Sequence, residues 1–370
     1  MSKSNKDVVI TGCGVLTSTG VGIEEFSNSL KKGTSRFSTQ THNSGEETFV
    51  YPVAKIDDFV FKNALETLSI DKELIKKATR IRNVSPSMAY GIFCALEAWT
   101  DAQLNTCKSL DQQRVAIVSS GSNTQQGMLT QIRKKYDDRL HFINPNYGLN
   151  FFDTDIIGIL SELLDLKGEG YSVGAASASG NMAIINAHRL ISSGDYDIII
   201  VVAPMMELSK YEYQAFTSLG AMARVSEDGS TILCRPFDKK TSGFVYGQSS
   251  GAIILESKDH ARKRDKKDYG KIVGYGTSLD ANRNPNPSVN GELLAMSKAL
   301  EKSQLKANDI DYVNAHGTGS ALGDKTEIEA LSLLNMQGVK INSTKSIVGH
   351  GLSASGIVEC IATLVQMKEN

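Results

Sequence analysis

His316 and His350 are the side chains whose setting first suggests chemistry. His316 lies in VNAHGTGSALGDKTE, at the end of a short apolar run, and His350 lies in INSTKSIVGHGLSASG, five residues after Lys345. Glycine, serine and threonine crowd both turns, so backbone can approach a ligand closely there. A lone histidine is more often a packed or surface residue than a catalytic one. Two of only six, each in a strand-to-helix turn, shift that balance toward function. The matching turn in the first half, YSVGAASASG, carries Ser177. A small side chain at an expected helix N-terminus, two imidazoles and a lysine suit acyl chemistry. The free N–H groups of a helix start favour an oxyanion. Two neutral imidazoles can each donate an N–H to a thioester oxygen as it becomes an enolate, and a lysine can hold the site positive.

Alternating strand-like and helix-like runs must position these residues. DVVITGCGV opens the chain and is followed by a helical stretch around residues 23–32. RNVSPSMAYGIFCALEAWTDA has apolar residues at helical spacing, and QRVAIVSS reads as a buried strand ending at Gly121. The helix NMAIINAHRLISSG, stopped by Gly194, and the buried strand DYDIIIVVAP come next. Continuously apolar strands spaced by helices predict an α/β sheet covered on both faces. The chain also echoes itself. DVVITGCGV resembles YGKIVGYGT, which begins at Tyr269, and ALEAWTDAQLN…DQQRVAIVSSG resembles ALEKSQLKANDIDYVNAHG. SASG recurs at 177–180 and 353–356. Three echoes in one order suggest two copies of an α/β unit joined near KDHARKRDKKD, with the halves at 1–262 and 263–370.

Composition narrows the partners. The 40 basic and 41 acidic residues form no long run of either sign, which leaves no footprint for nucleic acid or an anionic membrane. A small acidic carrier protein could dock on a local patch formed by Arg80, Arg82, Arg133, Lys134 and Lys135. The five cysteines (Cys13, Cys94, Cys107, Cys234, Cys360) show no metal-ligand or CxxC spacing and read as reduced and structural. HExxH and Walker patterns are absent, as is a dinucleotide fingerprint in the right context, so no metal or bound cofactor is expected. The N-terminus lacks an apolar signal region, and the run Ile198 to Met206 is too short to span a bilayer. A cytoplasmic protein is expected.

The order of motifs resembles the β-ketoacyl-ACP synthases of the thiolase superfamily over essentially the whole chain. The match includes VVITGCGVLTSTG, RPFDKKTSGFVYGQSSGAIILE, NAHGTGSALGDKTE and STKSIVGHGLSASG. The resemblance implies a thiolase-like fold of two pseudo-repeated α/β halves in α-β-α-β-α layers, and a homodimer. It implies that His316 and His350 are the two active-site histidines and that Lys345 supports them. Asp324 and Glu327 would be the acidic pair buttressing that lysine and loop. Thr318 and Ser320 would contact the phosphopantetheine arm of an acyl carrier protein, which carries the substrate.

Departures from the family decide the expected reaction. Ser177 stands where the family has its nucleophilic cysteine, in Ala-Ala-Ser-Ala-Ser-Gly. Gln248 occupies a position usually held by Glu, which unsettles a local ion network. The family also continues to a last strand and a glycine-rich loop that this sequence does not contain. A thiol titrates near 8.5 and can be lowered further, whereas a serine hydroxyl needs a base in line to attack. Acyl loading should therefore be crippled. Decarboxylation of a malonyl thioester needs only enolate stabilisation and a dry pocket. Ser-bearing members of the family resemble malonyl-ACP decarboxylases that work beside an HMG-CoA-synthase-like enzyme in polyketide β-branching. A non-catalytic partner resembling a chain-length factor, a condensing synthase, and an esterase-like use of Ser177 are the alternatives; the last lacks the GxSxG elbow.

Overall fold

The computed structural model describes residues 6–225 and 234–369. Strand β1 (Val8–Thr17) is buried at all ten positions, so both of its faces need a cover. It joins β2 (Val115–Ser120), β3 (Gly170–Val173), β4 (Ile198–Ala203), β5 (Ser249–Ser257) and the short β6 (Gly270–Lys271) in one sheet. Their spatial order is β6-β1-β5-β4-β2-β3, with Gly20–Val21 paired off β1. Strand β2 runs parallel to β3 and β4, whereas β5 is antiparallel to both β4 and β1. The YGKIVGYGT segment contributes only the two residues of β6, antiparallel to β1.

The first half supplies helices α1 (Gly22–Lys32), α2 (Pro86–Asp101), α3 (Gln126–Tyr136), α4 (Asp155–Leu164) and α5 (Ser179–Ser192). The second supplies α6 (Val289–Ser303), α7 (Ala321–Leu333) and α8 (Ser355–Glu369), and a parallel pair, β7 (Tyr312–Asn314) with β8 (Lys340–Asn342). Helices α2 and α4 pack on one face of the main sheet. Helices α5 and α8 cover the other. Beyond α8 lies β7, whose Asn314 amide donates to the Glu359 and Thr363 oxygens of that helix. Helices α6 and α7 pack together on the far side. The layers therefore run α-β-α-β-α.

Helix α2 begins at Pro86, four residues after the arginine that opens the expected helical stretch. The Ser85 hydroxyl accepts the Met88 N–H, and proline occupies the first turn, where its missing N–H costs nothing. All five cysteines are free; Cys13, Cys94 and Cys234 are buried, and burial raises the pKa of each of these and of Cys360. Arg80 ends the helix Lys72–Arg80, with Arg82 just beyond it, and Arg133, Lys134 and Lys135 form the last turn of α3; all five are exposed.

The two SASG stretches fold alike. Each begins within a single 3₁₀ turn, Ala176–Ala178 or Leu352–Ala354, and leads directly into a helix, α5 or α8. The first residue of each turn takes a left-handed backbone, φ 48° at Ala176 and 53° at Leu352, unusual for a residue with a side chain. The two helices cross at their glycines. A Cβ on Gly180 would lie 2.8 Å from the Ile357 nitrogen, and one on Gly356 would lie 2.7 Å from the Asn181 nitrogen. Only glycine allows that approach, which brings the first-half turn against the second-half turn.

Candidate active site

Ser177 sits in the middle of the 3₁₀ turn before α5, two residues ahead of the helix proper. The Ser179 hydroxyl locks the turn by accepting the Ala175 N–H and donating to the Ala176 carbonyl. The Ser177 hydroxyl lies 2.9 Å from Nε2 of His350. On the other side of that ring, Nδ1 is 2.8 Å from the Ser355 hydroxyl and accepts the Leu352 N–H at 3.3 Å. A backbone N–H can only donate, so Nδ1 carries the lone pair and Nε2 carries the proton. The imidazole thus aims an N–H at the Ser177 oxygen, leaving the serine proton free to donate elsewhere.

Backbone and packing hold His350 in place. Its N–H donates to Val245 O at 2.8 Å, and its carbonyl accepts the Gly247 N–H at 3.0 Å. The approach is so close that a Cβ on Gly349, whose φ is 74°, would meet Gly247 at 2.9 Å. Phe244 stands edge-on to the His350 ring, with centroids 5.2 Å apart. The ring is 3 % exposed. Burial, then the Lys345 charge, push its pKa well below that of a free imidazole.

His316 follows β7 and meets His350 edge to face, with centroids 5.5 Å apart. Its N–H and that of Gly317 donate to the two carboxylate oxygens of Glu327, at 2.7 and 2.8 Å. Its carbonyl accepts Nζ of Lys345 at 2.6 Å. The protein packed around the ring, and then the Lys345 charge, lower its pKa, although the ring opens to solvent at the cavity wall and water moderates the effect. Both imidazoles are therefore neutral at physiological pH.

Lys345 is buried and forms its ion pair with Glu359 of α8. Asp324 and Glu327, expected to buttress the lysine and its loop, bond to the loop backbone and not to the Lys345 side chain. Glu327 instead holds the His316 backbone. Asp324 accepts the N–H groups of Phe237 and Gly319, at 2.6 and 3.2 Å, and so shapes the loop. Burial raises the pKa of Glu359, opposed by Lys345, and raises that of Glu327, opposed by the two backbone donors. Glu359 was missed because α8 reads as an apolar helix. A single carboxylate within GIVECIATLV was the available signal, since a charge on such a helix needs a partner.

Ser177, Asn181, Glu292, Met296, His316 and Glu327 line a cavity of about 360 Å³. Thr318 and Ser320 do not line it. Thr318 is buried, and its hydroxyl accepts the Ser320 N–H at 3.3 Å. The Ser320 hydroxyl caps α7 through the Gly323 N–H. Gln248 forms no ion network; its side-chain oxygen accepts the Ile56 N–H at 2.9 Å. No group of three metal-ligating side chains occurs among the described residues. Ser177 and His316 face the cavity, and the locked His350 N–H reaches the Ser177 oxygen from the buried side. That is a donor set for developing negative charge on oxygen, with the Lys345 ammonium held behind it.

Comparison with known proteins gives a consistent picture. The family "Beta-ketoacyl synthase, N-terminal domain" matches residues 5–261, and "Beta-ketoacyl synthase, C-terminal domain" matches residues 269–370. The polyketide biosynthesis malonyl-ACP decarboxylase PksF of Bacillus subtilis (strain 168) is 40 % identical, covering 100 % of this chain and 86 % of that protein. The 3-oxoacyl-[acyl-carrier-protein] synthase 1 of Buchnera aphidicola subsp. Baizongia pistaciae is 32 % identical over 99 % of this chain and 87 % of its own. Among solved structures, a β-ketoacyl synthase from Burkholderia phymatum STM815 superposes with a TM-score of 0.84 at 27 % identity, covering 99 % and 87 % of the two chains. A type II polyketide ketosynthase in complex with its acyl carrier protein superposes at 0.81 with 25 % identity, covering 98 % and 86 %.

Proposed function

Because the chain belongs to the β-ketoacyl synthase family and has its thiolase-like fold, we propose that it is an enzyme that decarboxylates malonyl-ACP to acetyl-ACP in polyketide biosynthesis, without condensing. The full-length similarity to a malonyl-ACP decarboxylase supports the substrate and the reaction. The observation that carries the mechanism is the His350 Nε2–H directed at Ser177, in a ring whose Nδ1 is occupied as an acceptor. A ring that donates toward the serine cannot also take its proton, so Ser177 has no base and is not activated as a nucleophile.

The same N–H suits a thioester oxygen. As the bond between C2 and the carboxylate breaks, its electron pair moves into the enolate and charge accumulates on that oxygen. His350, aided by His316, stabilises the charge, carbon dioxide leaves, and a proton from water returns to C2 to give the acetyl thioester. A preorganised donor of this kind is worth about 2.7–4 kcal/mol, or roughly 10²–10³ in kcat. Lys345 acts indirectly, by holding the His316 carbonyl and adding positive potential.

In this reading the substrate arrives on the phosphopantetheine arm of an acyl carrier protein, with Thr318 and Ser320 beside the arm and the exposed basic residues meeting the acidic carrier. The protein acts as a homodimer in the cytoplasm, beside an HMG-CoA-synthase-like enzyme of β-branching. The dimer is supported by β3, which ends the main sheet, and by Leu140, Phe142, Leu149, Phe151 and Phe152, all exposed between α3 and α4. The two halves meet between residues 262 and 263. The test is to incubate the protein with malonyl-loaded carrier and weigh the intact carrier by mass spectrometry. Conversion to acetyl-carrier, slowed 10²–10³-fold by His350→Ala, supports the reading. An unchanged malonyl-carrier, or full activity in His350→Ala, overturns it.

A further inference from the structure

We propose that Asn181 is the substrate-positioning residue for the departing carboxylate, an uncharged anchor in a cavity lined by three carboxyl groups and by no Lys or Arg; this rests on the decarboxylation reading above. The internal repeat singles the residue out. SASG is followed by Asn181 in the first copy and by Ile357 in the second. The two positions are structurally equivalent at the helix crossing, where each backbone lies against the other copy's glycine. Ile357 is fully buried in the apolar core. Asn181 is exposed, and it lines the cavity together with Ser177 and His316. Only the copy that carries the site has a polar group there.

Two other nitrogen donors near the cavity, the Asn314 amide and the Lys345 ammonium, are engaged, while Ser177 and His316 face the thioester oxygen in this reading. The Asn314 amide donates to Thr344, Glu359 and Thr363. Lys345 is taken up by Glu359 and the His316 carbonyl. The Asn181 side chain has no hydrogen-bond partner among the described residues. Three carboxyl groups, those of Glu292, Glu327 and Glu359, share the wall with it, and no Lys or Arg does.

That imbalance fits the reaction. The substrate carboxylate carries a full charge in the ground state and loses it as carbon dioxide forms. A cation beside it would stabilise the substrate more than the transition state and slow the step. A neutral amide can orient the carboxylate through its N–H groups with little such penalty. With Glu359 paired to Lys345, Glu327 and the ionised fraction of Glu292 favour the loss of charge.

The experiment compares wild type, Asn181→Ala and Asn181→Asp for turnover of malonyl-loaded carrier, and for inhibition by acetyl-loaded carrier, which lacks the carboxylate. The expected result is a kcat/KM lower by about 10–100-fold in N181A and lower still in N181D, with inhibition by acetyl-carrier unchanged in both. Lost affinity for acetyl-carrier in step with lost turnover would mark a purely structural role and overturn the assignment. So would an N181A enzyme as active as wild type. A wild type that never turns over malonyl-carrier overturns the decarboxylation reading first, and this assignment with it.

Discussion

Protonation of His350 should be refused by the fold, and that refusal can be measured as stability. The ring is almost fully buried, and its Nδ1 already faces the Leu352 N–H. A proton there would set two donors against each other. The unfolded chain has no such restriction, so its histidine titrates near the ordinary value of 6.5. Since the folded pKa lies well below this, the unfolded state takes up a proton as pH falls and the folded state does not. The stabilisation is complete above the unfolded pKa and is lost as pH drops below it. Between pH 7 and pH 5 the loss is RT ln[(1 + 10^1.5)/(1 + 10^−0.5)], about 1.9 kcal/mol. Urea titrations at both pH values, for wild type and His350→Gln at one protein concentration, isolate this share because the other groups cancel in the comparison. Wild type should lose about 1.9 kcal/mol more than the variant. Equal losses would mean that the ring charges inside the fold. It could then not act as a fixed neutral donor.

Two further outcomes follow from the same geometry. Lys345→Met strands the Glu359 carboxylate in a buried setting and should destabilise the protein by about 3–5 kcal/mol, while Lys345→Met combined with Glu359→Leu should recover much of that; chemical denaturation of the three proteins reads both, and a single variant as stable as wild type contradicts the buried pair. Ser177→Cys supplies a thiol that can ionise where the hydroxyl cannot, so incubation with acyl-carrier should leave an acyl group on the variant and none on wild type, visible in the intact mass. A variant that stays unloaded would show that the cysteine-to-serine change is not what separates this chain from condensing enzymes.

Much of the site could be read before any coordinates. His316, His350 and Ser177 stand far apart in the chain but in like turns, and the structure gathers them because the SASG repeat builds the helix crossing that joins the halves. Strands β1, β2 and β4 were visible as continuous apolar runs, which both-faced burial requires. What escaped the sequence was partner choice. The pairing of Lys345 with Glu359 joins the short helix Lys345–Val348 to α8 through the fold's third dimension, and no spacing encodes it. Asp324 and Glu327 looked interchangeable as an acidic pair, yet each holds a different stretch of backbone. Asn181 drew no notice, because an asparagine after SASG gains meaning only when Ile357 is seen at the equivalent place.

The central claim is that decarboxylation here needs no nucleophile. Ser177→Ala with malonyl-loaded carrier, followed by mass spectrometry of both proteins during turnover, tests it most directly. The account predicts acetyl-carrier formed within about tenfold of the wild-type rate, the loss of one hydrogen bond's worth of positioning, with neither enzyme ever gaining acyl mass. Abolished turnover in the variant, together with a malonyl or acetyl adduct on wild-type Ser177, would contradict it and make the serine an acyl carrier after all.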